Sequence, residues 1–70
     1  MKEDRTYFIE RTQGRYICGY RDFNGYRDVN YYVSKIYKNN YVFTLDYTHA
    51  KQTSYKTAKK HVNNLMYFDR

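Results

Sequence analysis

The chain has 70 residues, a formal charge of +6, eleven tyrosines, four phenylalanines, one cysteine and neither tryptophan nor proline. A single cysteine excludes an internal disulfide, no stretch approaches the ~18 apolar residues of a membrane span, and residues 1–11 are too charged for a signal peptide, so a cytoplasmic location is expected. The charge favours an anionic partner: nucleic acid, an acidic protein surface or anionic lipid.

In chain order, Arg5 to Thr12 is a mixed polar and apolar run rich in strand formers. Gln13-Gly14 is a two-residue turn signal, and Arg15 to Arg21 resumes as a second strand. A tight turn there places Tyr7, Ile9, Tyr16, Cys18 and Tyr20 on one face and Phe8, Glu10, Arg15, Ile17 and Arg21 on the other. The first face is the better core. Residues 22–28 form a loop in which Gly19-Tyr20-Arg21-Asp22 is echoed by Gly25-Tyr26-Arg27-Asp28, with Asn24-Gly25 as a turn dipeptide. This loop presents Phe23, Tyr26 and Arg27 and is the best single candidate for a binding hot spot. The competing reading pairs Arg and Asp locally and uses Phe23 to plug the sheet end.

A third strand is expected from Val29 to Tyr37 and a fourth from Tyr41 to Tyr47, joined by a turn in which Asn39 and Asn40 supply positive φ. That register sets Ile36 opposite Phe43 and Ser34 opposite Leu45. It turns Tyr32, Ile36, Phe43, Leu45 and Tyr47 inward and leaves Tyr31, Val33, Lys35, Tyr37, Val42 and Thr44 outward. After Tyr47 the apolar period lengthens to 3.6. Tyr55, Ala58, Val62, Leu65 and Met66 share a stripe behind a Ser54 N-cap, which predicts one amphipathic helix near residues 54–66. Its other side carries Lys56, Lys59, Lys60, His61, Asn63 and Asn64, either as an ordinary solvated face or as a patch for an anionic partner. The fold class is therefore α+β, one domain over 1–70. Two hairpins form a four-stranded antiparallel sheet with a C-terminal helix on one face (ββββα).

Five tyrosines (Tyr16, Tyr20, Tyr26, Tyr37 and Tyr55) adjoin an Arg or Lys. Rings beside cations supply large contact area at low conformational cost and can stack on bases or guanidinium groups. Because a 70-residue domain buries only about 60% of its unfolded surface, several rings must lie outside. The residues expected to bind a partner are Tyr20, Arg21, Phe23, Tyr26, Arg27, Tyr31, Lys35, Tyr37, Lys56, Lys59 and Lys60. Catalytic patterns are not recognisable. The chain has no glycine-rich phosphate cradle and no nucleophile elbow, its carboxylates are scattered, and His49 and His61 lack zinc-ligand spacing. No enzymatic activity, cofactor or metal is expected, and Cys18 reads as a small buried hydrophobe.

The segment from Thr44 to Ala58, through Thr44, Asp46, Ala50, Ser54 and Ala58, resembles short bacteriophage accessory proteins in which strands precede a capped C-terminal helix. Thr53 stands where those proteins usually place an aromatic. The segment is more distantly similar to the arm-type DNA-binding domains of integrases, which read DNA with a three-stranded sheet. The resemblance covers about a third of the chain. The phage resemblance implies a non-catalytic anti-defence inhibitor, of the anti-CRISPR kind, that acts in the host cytoplasm on a host protein or ribonucleoprotein complex as a monomer or homodimer. The alternative is direct DNA or RNA binding through the solvent face of the sheet, with Arg15, Arg21, Lys35, Tyr31, Tyr37, Tyr26 and Arg27 as contacts.

Overall fold

Alternating side chains and one tight turn build the first hairpin as the sequence predicts. The computed structural model describes residues 5–38 and 40–69. Strands β1 (Arg5–Thr12) and β2 (Arg15–Phe23) pair antiparallel with Thr12 opposite Arg15, around a turn in which Gln13 (φ 49°) and Gly14 (φ 80°) both take positive φ. β3 (Asp28–Tyr37) and β4 (Asn40–Thr44) complete one sheet in the order β1-β2-β3-β4. A 3₁₀ turn (Tyr47–His49) and helix α1 (Tyr55–Phe68) follow. The predicted ββββα architecture is the one observed.

The helix starts where its cap demands. Ser54 is extended, and its hydroxyl accepts the Thr57 amide. Ala58, Val62 and Leu65, at helical spacing, then bury against Cys18 and Val33, with Tyr7, Ile9, Tyr16, Ile36, Tyr41, Phe43 and Met66 packed around them. Cys18 is 1% exposed, and burial pushes its thiol up to about 11, so it serves as an apolar core residue.

Two expectations about the second hairpin are corrected. The turn falls one position earlier than expected, because Tyr37 pairs with Asn40 and Lys38 takes a positive φ (54°); Asn39, expected in the turn, lies outside the described residues. Ile36 therefore faces Tyr41, not Phe43. The second correction is a β-bulge: the register moves from Val33↔Phe43 to Lys35↔Val42, leaving Ser34 as the extra residue, with its hydroxyl donating to the Val42 carbonyl. One inserted residue inverts the alternation. Val33, expected outside, is 1% exposed in the core together with Ile36, whereas Tyr32 is buried on the opposite face of the sheet. Leu45 and Tyr47 are exposed because β4 stops at Thr44. There Thr44 Oγ1 accepts the Asp46 amide, and the Asp46 carboxylate accepts both the amide and the hydroxyl of Thr48. These local side-chain bonds compete successfully with the ladder.

The face away from α1 is also partly closed. Phe8 and Tyr32 meet edge to face at 5.6 Å across Gly19, and Tyr47 packs edge-on against Tyr32 at 5.8 Å while its hydroxyl donates to Thr12 Oγ1 at 2.5 Å. Ile17, expected on an open face, is 1% exposed there. β2 and β3 pair only from Gly19 to Phe23. Beyond that point the returning chain fills the gap: Tyr16 and Thr53 exchange two backbone hydrogen bonds of 2.8 Å, and the Lys51 amide donates to the Val33 carbonyl at 2.8 Å.

Two substitutions probe this arrangement. Leu65→Ala removes an anchor that is 6% exposed and is expected to destabilise by about 2 to 5 kcal/mol, measured by chemical denaturation. Gly19→Ala would bring a Cβ within 1.9 Å of the Tyr31 carbonyl oxygen, which is backbone and cannot swing aside. It is expected to lower stability by at least about 1 to 3 kcal/mol. A Gly19→Ala protein with an unchanged denaturation midpoint would contradict the close approach of β2 and β3.

Candidate interaction surfaces

The residues expected to bind a partner do not form one surface. Phe23, Tyr26 and Arg27 stand at the loop between β2 and β3, and Tyr37 stands at the other end of β3, a strand of 10 residues. At ~3.3 Å per residue these ends are about 30 Å apart. Tyr20 and Tyr31 lie on the helix side of the sheet, whereas Arg21 and Lys35 lie on the other, so the face proposed for nucleic-acid contact is divided. Lys56, Lys59 and Lys60 are exposed on α1.

Tyr20 is engaged by its own neighbours. The Arg5 guanidinium carbon lies 3.8 Å from the ring centroid, Tyr31 stacks on it at 4.9 Å, and Phe43 meets it edge-on at 4.9 Å. Burial raises its hydroxyl above the usual tyrosine range. Arg5 itself closes an ion cluster. Its Nε and Nη2 donate to the two oxygens of Asp22 at 2.8 and 2.9 Å, and its Nη1 donates to Asp69 Oδ2 at 2.7 Å. Tyr7 donates to the same Asp69 oxygen, and burial together with that bond raises its hydroxyl to about 12. The bidentate Arg5–Asp22 pair ties β1 to β2, and the Arg5–Asp69 bond fastens the end of α1 to β1. Arg21 is likewise held, donating to Asn30 Oδ1 at 2.7 Å with its guanidinium carbon 5.6 Å from the Phe8 ring.

The loop is different. Asn24 Oδ1 accepts the amides of Tyr26 and Arg27, both at 3.0 Å, the Asn24 amide donates to the Arg27 carbonyl, and Gly25 (φ 95°) makes the turn. On this closed frame Tyr26 is 95% exposed and Phe23 49%. The loop backbone is thus held by Asn24 while the Tyr26 and Phe23 rings face solvent.

A second surface was not anticipated. α1 packs chiefly over β1 and β2, so its flank toward β3 and β4 leaves a groove of about 440 Å³ with Ile36 and Tyr41 on the sheet side and Lys60 and Phe68 on the helix side. An adjoining hollow of about 250 Å³ reaches Phe43 and Leu65. Tyr41 organises the wall: its oxygen accepts from Asn64 Nδ2 at 3.1 Å and lies 3.1 Å from His61 Nδ1. Nε2 of His61 is buried and has no hydrogen-bond partner among the described residues. His61 and Asn64, read from sequence as outward residues, thus turn to the sheet. Their spacing of three beside Val62 and Leu65 was the available signal.

Compared with known protein families, curated proteins and solved structures, the chain matches none at a significant level. Among the described residues, no helix is long and apolar enough to cross a membrane, and no three His, Cys, Asp or Glu side chains gather as a metal site.

Burial, reinforced by Lys60 and Lys51, holds His61 below the ordinary histidine value of 6.5. The unfolded chain therefore binds a proton at higher pH than the folded one does, and stability falls as pH drops through 6.5 toward the folded-state value. The melting temperature is expected to be lower at about pH 5.5 than at about pH 7.5, with the difference reduced in His61→Gln. An equal drop in both proteins would remove His61 as the cause.

Proposed function

We propose that this protein is a small non-catalytic inhibitor of the bacteriophage type, acting in the host cytoplasm by occupying a host defence or nucleic-acid-processing protein such as a CRISPR nuclease complex. The observation that carries the reading is Tyr26, 95% exposed on a loop whose backbone Asn24 already closes. An aromatic kept in water on an ordered frame gains most by entering a partner's pocket, and the adjoining Arg27 supplies the second residue type common at hot spots. The resemblance of the Thr44 to Ala58 segment to phage accessory proteins supplies the class of target.

One observation favours direct DNA or RNA binding as a second reading: α1 bears Lys56, Lys59 and Lys60 and has no acidic residue before its C-cap Asp69. The sheet face offers less to a nucleic acid, because Phe8, Tyr32 and Tyr47 pack edge-on to one another and Arg21 is held by Asn30.

The Tyr26→Ala/Arg27→Ala protein separates the readings. In pull-downs from nuclease-treated bacterial lysate, the native protein is expected to retain a discrete protein complex. The variant should bind that partner at least about fivefold more weakly, equivalent to about 1 kcal/mol, with its melting temperature unchanged. Affinity for free single-stranded DNA that falls steeply with salt and survives the double substitution would instead establish the second reading.

A further inference from the structure

The groove beside α1 has a strand edge as its border. β4 ends the sheet, so one side of Asn40–Thr44 has no neighbouring strand among the described residues. Five residues at ~3.3 Å each give about 17 Å of edge, enough to pair with a short extended peptide. Next to that edge, Ile36, Tyr41 and Phe43 floor two hollows of about 440 and 250 Å³, each of a size to take apolar side chains. Lys38 and Lys60 border the larger one. Among the described residues neither lysine has an ion-pair partner, and no carboxylate lines either hollow.

We propose that this groove is a docking slot for an extended acidic segment of a partner protein, which adds to β4 as a fifth strand. Its apolar side chains enter the hollows, and its carboxylates meet Lys38 and Lys60. Strand addition supplies main-chain hydrogen bonds, while the pockets and the charge select the sequence. The inference goes beyond the inhibitor reading, since the slot lies at the end of β3 opposite the Tyr26 loop and does not depend on the partner belonging to a host defence system.

Charge decides between occupants. A second copy carries the same charge of +6, so pairing two β4 edges would bring two strongly basic chains together, which repels. A nucleic acid strand would find the cations but no row of parallel ring faces, because Tyr67 and Phe68 pack on each other at 72° and Tyr41 meets His61 at 74°. An acidic peptide satisfies edge, hollow and lysines together.

A randomised octapeptide library displayed against the immobilised protein tests the proposal, with the best selected peptide then synthesised and its affinity measured by fluorescence anisotropy. The selected sequences are expected to combine Asp or Glu with at least one large apolar residue. Amide signals of residues 40–44 should shift on binding, and their hydrogen exchange should slow. Lys38→Glu/Lys60→Glu, both exposed positions, should weaken binding at least about tenfold, equivalent to about 1.4 kcal/mol, with an otherwise native amide spectrum. No enrichment, enrichment of basic peptides, shifts confined to other elements, or affinity untouched by the charge reversal would each overturn it. So would an oligothymidylate that shifts the β4 signals when no selected peptide does.

Discussion

The two hydrogen bonds between Tyr16 and Thr53 decide where everything after β4 goes. β2 and β3 part company beyond Gly19 and Tyr32, and the returning chain takes the vacated ladder positions, bonded to Tyr16 on one side and Val33 on the other. That passage carries the chain from the Tyr32 face, where Tyr47 packs, to the Cys18 face, where α1 packs. Ser54 caps the helix one residue later, with Tyr55 against Tyr16 at 5.3 Å. The helix is thereby started above β2 and runs over β1 and β2, and the apolar side chains of β3 and β4 are left with a one-sided cover. The groove is the consequence of this placement.

The tyrosines fit a small domain for a physical reason beyond their size. Tyr32 is buried, Tyr7, Tyr16, Tyr20, Tyr31 and Tyr41 are half-buried, and Tyr26, Tyr37, Tyr47, Tyr55 and Tyr67 are exposed. A ring can bury its edge against the sheet while its hydroxyl reaches a polar group at the margin, as Tyr7 does with Asp69, Tyr41 with His61 and Tyr47 with Thr12. Where Leu would end the core, Tyr extends it to the waterline. Tyr26 and Tyr37 follow no such rule, having neither a ring contact nor a hydroxyl partner among the described residues, and Tyr26 is the more exposed of the two at 95%.

Local signals were legible and non-local ones were not. Gln13-Gly14 announced its turn because two successive positive φ angles leave few residue choices, and Ser54 announced the helix because cap and stripe agree. The bulge at Ser34 left no such mark: strict alternation from Val29 to Tyr37 is chemically as plausible as the observed slip, and one extra residue exchanges Val33 for Tyr32 in the core. The loop with Phe23, Tyr26 and Arg27 was readable because its exposure follows from Asn24-Gly25. The engagement of Tyr20 was not, since Arg5, Asp22 and Asp69 meet across sequence separations of 17 and 64 that only the closed sheet brings together, nor was that of Arg21, which needs the β2–β3 pairing to bring it beside Asn30.

Those long-range pairs also shape the exterior. Asp22 and Asp69 are held by Arg5, and Asp46 caps the 3₁₀ turn and pairs with His49 at 3.2 Å. Asp22 and Asp69 thus stand at the Arg5 end of the sheet, while the exposed lysines of α1 have no carboxylate on their own helix before Asp69. Lys56 stands in the first turn of α1, where it opposes the helix dipole at about 0.3 to 1 kcal/mol, and no acidic residue in that turn compensates. A domain with so small a core carries that unfavourable term on the same helix whose flank forms one wall of the groove. A neutral side chain in place of Lys56 would remove that term, whereas Lys59 and Lys60, beyond the first turn, feel little of the helix end.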